Sequence, residues 1–260
     1  MRRWLVAGAL LALGQVAHAH HVASDSGITP AKPRTIVEVG GDGGALAQGI
    51  ARGSYLRTSP AIEVGLGRFS LRGQASFVTL ERDGFGRNTG PGDAEFAAKA
   101  TVWASPHGGG LLSLGLGGKA PTGDHTLGLG GGHWGLAPFA AASYERESDA
   151  VTLVAATMVI HQIALGDEAH GHGLLVEPHS PQELTASGTL AAVTRDAWGA
   201  LGSTTSIGVD PGDGWKWTSA RMTLGWLATD RLRAIASVEA PVAGDPGWRW
   251  RTALALAYVR

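Results

Sequence analysis

From residue 34 onward the chain alternates. Phe69, Leu71, Ala75 and Phe77 interleave with Ser70, Arg72, Gln74 and Ser76, so an extended segment carries one apolar and one polar face. Between Trp215 and Ala228, Met222, Leu224 and Trp226 oppose Arg221 and Thr223. Near the C-terminus, Trp248, Trp250, Leu254, Leu256 and Tyr258 share one parity, with Arg249 and Arg251 on the other. Twelve such segments are predicted, at 34–44, 58–66, 69–77, 94–104, 111–120, 135–145, 150–163, 183–194, 199–209, 215–228, 232–242 and 248–258. Most are about ten residues long, the length of a tilted strand that crosses a bilayer.

The connectors sort by length. One set, at Gly67–Arg68, Ser105–Gly110, Arg146–Asp149, Arg195–Trp198 and Thr229–Arg231, is short. The alternate set includes Asp83–Asp93, Pro121–His133 and Ala164–Pro181, and is longer. Outer-membrane barrels show this asymmetry, with short periplasmic turns and longer external loops. A soluble sandwich has no reason for it. Aromatic residues fit the same frame: Trp134, Trp215, Trp217, Trp248 and Trp250 fall at outer strand ends, and Trp103, Tyr144, Trp198, Trp226 and Tyr258 at inner ones. Two such girdles mark the interfaces of a membrane barrel. The expected fold is therefore all-β, an antiparallel up-and-down transmembrane β-barrel of about twelve strands.

Composition narrows the picture. Glycine supplies 40 of 260 residues and charged residues only 17%. Interior glycine costs a helix roughly 1 kcal/mol each, so helical bundles and coiled coils are excluded. Cysteine is absent, which removes disulfides, thiolate metal sites and cysteine nucleophiles. Arg2 and Arg3, the apolar run Trp4–Leu13 and Ala17-His18-Ala19 read as a secretory signal over 1–19. The run is too short to span a bilayer. Residues 20–33 then form a mature N-terminal tail and 34–260 the barrel. Losing Arg2 and Arg3 turns 21 basic residues into 19 against 22 acidic ones, a balance near −3. Nothing in it suggests a nucleic-acid partner. The expected location is the bacterial outer membrane after export, with membrane lipid, a small solute and the barrel assembly machinery as partners.

Short glycine and proline motifs add a resemblance. Gly92-Asp93 precedes the segment Ala94–Ser105, which carries Lys99. Ser113–Lys119 leads into Ala120-Pro121-Thr122-Gly123-Asp124, Leu127-Gly128-Leu129-Gly130-Gly131 follows, and Pro138 opens the next strand. Proline at 121 ends a strand and Gly123 suits the turn after it. Over Phe69–Tyr144 the chain resembles the outer-membrane barrel family of the phenol meta-degradation pathway type, a family of outer-membrane transporters. The resemblance implies a porin-like channel for small solutes, aromatic or hydrophobic compounds among them. One departure is the ending Tyr258-Val259-Arg260, which places the last aromatic two residues early for the assembly machinery.

Parity assigns the charges that line a lumen. Glu63, Glu95, Glu145, Glu183 and Glu239 are expected inside with Arg72, Lys99, Lys119, Arg221, Arg233, Arg249 and Arg251, an excess of two positive charges. Opposed charges across a pore restrict what passes. The same charges could instead pair and fill the barrel, so a conducting channel and a non-conducting structural barrel both stand. Trp215 and Trp217 share parity with Arg221. Either they line the outer mouth as a stacking surface or a bulge turns them to the interface.

Ten histidines include two clusters. Asp167, His170, His172 and His179, with Glu168 beside them, lie in the longest external loop; His20 and His21 would begin the mature chain. Neutral imidazoles at these positions suit Cu or Zn, which makes a metal-binding accessory role the alternative function. No spacing matches a structural zinc motif. No Gly-x-Ser-x-Gly or His-Glu-x-x-His occurs, and no enzyme is expected.

Overall fold

The computed structural model describes residues 35–48, 51–106, 109–166, 181–194, 196–210, 214, 216–229 and 231–259. Every regular element among them is a strand: β1 (Thr35–Gln48), β2 (Ala51–Leu66), β3 (Phe69–Gln74), β4 (Phe77–Arg82), β5 (Gly86–Pro91), β6 (Ala94–Ala104), β7 (Gly110–Ala120), β8 (Trp134–Glu147), β9 (Thr152–Leu165), β10 (Gln182–Val193), β11 (Ala197–Gly208), β12 (Lys216–Leu227), β13 (Leu232–Gly244) and β14 (Trp248–Val259). β2 pairs with β3 through Ala61–Leu66 and with β4 through Gly53–Thr58. β3 and β4 are thus two halves of one stave, and so are β5 and β6, which pair with β4 and β3 respectively. The fourteen segments make twelve staves, and β1 closes the ring by pairing with both β2 and β14. Closure leaves no sheet edge, as a bilayer requires.

The segment expected as a connector at Asp83–Asp93 is a correction. It is a hairpin that continues the wall, with Glu81 opposite Arg87 and Phe77 opposite Pro91. Its few apolar residues hid it from a hydrophobicity pattern. β1 and β2 likewise run further than 34–44 and 58–66, pairing through Ala45–Gln48 and Ala51–Arg57.

Burial is inside out. Leu190, Leu201 and Leu254 are each more than 65% exposed, as part of an outward band with Phe69, Leu71, Leu224 and Leu256. Glu38, Asp42, Arg57, Glu63, Lys99, Glu239 and Arg251 are buried inside the ring. Covering a side chain such as leucine is worth about 1.5–3 kcal/mol, so an outer wall of this kind demands an apolar solvent. Trp134 and Trp250 stand exposed at one rim, Trp103, Tyr144, Trp226 and Tyr258 at the other.

Three tryptophans leave the expected girdles. Trp198, Trp217 and Trp248 turn inward and are buried. The pairing of β1 with β14 skips Arg249, since Ala45 faces Trp250 and Leu46 faces Trp248. One extra residue in a strand reverses the parity beyond it. Trp198 turns inward for another reason: its indole covers Gly225, its partner on β12, whose added Cβ would strike the ring. Phe96 covers Gly118 and Phe139 covers Gly115 in the same way. Such aromatic cover compensates glycine's missing side chain.

Candidate functional site: the barrel lumen

The interior has two unlike walls. On β12–β14 and β1–β7, period-two alternation sends charged residues inward in pairs. Asp42 accepts from Arg57 Nε at 2.8 Å and from the Tyr55 hydroxyl at 2.6 Å. Glu38 meets Arg72 at 3.6 Å, and Arg72 also donates to Gln74 at 3.0 Å. Glu63 meets Lys99 at 3.3 Å across β3. Arg221, Glu239 and Arg251 occupy one register row on three adjacent strands. Glu239 receives Arg251 at 2.8 Å and Arg221 at 3.9 Å, and Ser219 donates to its other oxygen.

Wall β8–β11 is nearly neutral. Glu145 and Glu183 are its inward charged groups among the described residues, with Glu147 exposed at the strand end. The rest are Ala, Ser, Thr and Gly with Gln162 and a few larger apolar groups. Thr185 and Ser206 share a hydroxyl contact at 2.9 Å, and Ser206 donates to Glu183. Inward positions on this wall stay partly exposed at mid-height: Ser187, Thr189 and Gly202 are only half-buried, and Ser237 on β13 is similar.

The motif residues of 92–131 gather in one knot. Asp93, buried at the start of β6, accepts the backbone N–H of Gly123 at 3.1 Å and of Gly131 at 2.7 Å, and meets Lys119 at 3.6 Å. Thr122 donates to the Gly92 carbonyl at 2.8 Å and accepts the Ala94 N–H at 2.9 Å. A Cβ at Gly130 would strike the Asp93 carboxylate, so only glycine lets the loop seat there. Asp124 turns the loop by binding the Thr126 hydroxyl and the N–H groups of Thr126 and Leu127. The Thr126 hydroxyl contributes most to holding its carboxyl below the ordinary aspartate range. Segment 121–133 thereby folds back over the wall. Its Leu129 is buried in a cluster with Leu46, Tyr55, Val78, Leu80, Trp217 and Trp248. A void of only about 10 Å³ remains between loop and wall.

Of the residues expected in the lumen, Arg72, Lys99, Arg221, Arg233, Glu239 and Arg251 are buried inside, with Glu95 and Lys119 half-buried and opposite one another. Arg249, the bulged residue, is exposed. Glu38 and Asp42 lie in the glycine-rich 34–44 segment, whose parity the sequence does not fix, and Arg57 and Asp93 fall one residue outside the 58–66 and 94–104 segments. With them inside and Arg249 outside, the expected excess of positive charge disappears. His20, His21, Asp167, His170, His172 and His179 lie outside the described residues, and no cluster of three metal-ligating side chains occurs among those described.

No protein-family model matches the sequence, and no curated protein matches it. Solved structures do match in shape. An outer membrane channel from Pseudomonas putida F1 aligns over 88% of this chain and 96% of its own, at 15% identity and a TM-score of 0.62. The KdgM porin in complex with disordered oligogalacturonate aligns over 86% and 98%, at 9% identity and 0.54. The transport unit of the autotransporter AIDA-I from Escherichia coli aligns over 98% and 97%, at 10% identity and 0.55. The fold is that of an outer-membrane β-barrel. Identities this low carry the architecture alone.

Proposed function

We propose that the protein is an outer-membrane channel for passive passage of small solutes, of the phenol meta-pathway barrel type. The supporting observation is the set of half-buried interior positions Ser187, Thr189 and Gly202 on the neutral wall, together with Ser237 on β13. Barrels with aqueous lumens keep polar interiors of this kind. The ion-paired wall opposite sets the field that a solute meets, and the inward-folded loop narrows the outer mouth. The gathering of Gly92-Asp93, Pro121-Thr122-Gly123 and Leu127–Gly131 around one carboxylate gives the family-like motifs a physical purpose and supports the closer assignment. The chain reaches its place by export behind residues 1–19 and insertion by the assembly machinery. Single-channel recording of the refolded chain from His20 tests the proposal. Discrete conductance steps are expected, with a shift towards cations in Lys119→Gln. Insertion into the bilayer with no conductance would overturn it.

A further inference from the structure

The outer half of the lumen holds a guanidinium with an incomplete set of partners. Arg251 stands opposite Gly44, where a side chain would crowd its Cβ. Its Nε and Nη2 both donate to one oxygen of Glu239, at 2.9 and 2.8 Å. Its Cζ lies over the Trp248 ring, 4.2 Å from the ring centre. Nη1 is buried and has no hydrogen-bond partner, and the same is true of Trp248 Nε1. Buried donors are almost always paired, so two on neighbouring side chains mark a place suited to an acceptor. Around them the surface is apolar. Trp217 meets Trp248 edge-on, with ring centres 6.0 Å apart, and Leu46, Tyr55 and Leu129 belong to the same buried cluster.

We propose that Arg251, Trp248 and Trp217 form a subsite for a small carboxylate with an apolar body. The carboxylate accepts from the remaining edge of the guanidinium and from Trp248 Nε1, the kind of charge-assisted recognition at which arginine excels. The apolar body lies against the indoles and takes the seat of Leu129 as the loop yields. The inference depends on the channel reading for a route of access, and not for its chemistry.

Calorimetric titration of the refolded barrel in detergent tests it, with folding of each variant verified by its heat-modifiable mobility. Benzoate and hexanoate are expected to bind, benzyl alcohol and inorganic phosphate to bind far more weakly. Arg251→Gln should weaken benzoate at least about tenfold, the loss expected for one charge-assisted contact. Trp248→Phe keeps a ring and removes a donor, and should weaken benzoate severalfold; it serves if Arg251→Gln fails to fold. No benzoate binding to the wild type, equal binding of benzyl alcohol or phosphate, or unchanged affinity in the folded variants would overturn the subsite. Carboxylate binding that depends on Arg251 in a chain that never conducts would support the subsite and contradict the channel instead.

Discussion

Wall β12–β14 with β1–β7 and wall β8–β11 are built by the same alternation and filled in opposite ways. On the first, carboxylates and cations pair across neighbouring strands, and a loop is latched over the mouth. On the second, small and hydroxylic residues stay half-buried at mid-height, at Ser187, Thr189 and Gly202, while Val154, Ala191, Trp198 and Ala200 pack with Ile235 and Ala253. The contrast shows that one strand alternation can fill two sides of a closed barrel differently. Charge pairs buried from water hold one side rigid, since either partner alone would be strongly destabilising. The other side needs no such pairing and carries small residues.

The sharpest way to break the comparison is to strand a charge. Glu239→Ala leaves Arg251 and Arg221 without their shared carboxylate, at a cost of about 3–5 kcal/mol. Ser187→Ala on the neutral wall should stay within about 0.5 kcal/mol. Denaturant unfolding in lipid vesicles measures both, and equal losses would mean that the walls are not mechanically different.

Next comes the latch. Asp93→Ala removes the acceptor of two backbone N–H groups and should cost about 1–3 kcal/mol. It should also raise conductance and expose segment 121–133 to protease. A smaller structural effect is expected from Thr189→Trp, which fills the open side: conductance should fall severalfold with stability nearly unchanged. The mildest effect is local. Asp124 is held below its ordinary pKa by Thr126 and Leu127, so the turn gains stability above the usual aspartate range and loses it as pH falls through the lowered value. Hydrogen exchange at Thr126 and Leu127 should quicken in acid, and Asp124→Ala should remove that dependence.

Much of this arrangement was legible in the sequence. Parity placed Arg72, Lys99, Arg221, Arg233, Glu239 and Arg251 inside because alternation is rigid once a strand is recognised. It failed at Trp248 and Arg249, where a single bulged residue shifts the phase and nothing local announces it. Trp198 looked like a girdle residue because cover for Gly225 depends on a neighbouring strand's register. Asp42 lies within the 34–44 segment, where Gly40-Gly41-Asp42-Gly43-Gly44 offers no apolar face to fix the parity, and Arg57 falls one residue before the 58–66 segment. The motif around Asp93 was visible, but its purpose was not, since 30 and 38 residues separate the carboxylate from the two loop amides it holds.

The central claim is that solutes pass along the neutral wall. The chain has no cysteine, so single cysteines can be introduced on a clean background. The decisive measurement is single-channel conductance of Thr189→Cys and Leu201→Cys before and after treatment with a charged methanethiosulfonate. Thr189 faces inward and Leu201 outward. The account predicts a stepwise fall in conductance for Thr189→Cys and none for Leu201→Cys. A conductance indifferent to modification at position 189 would contradict it.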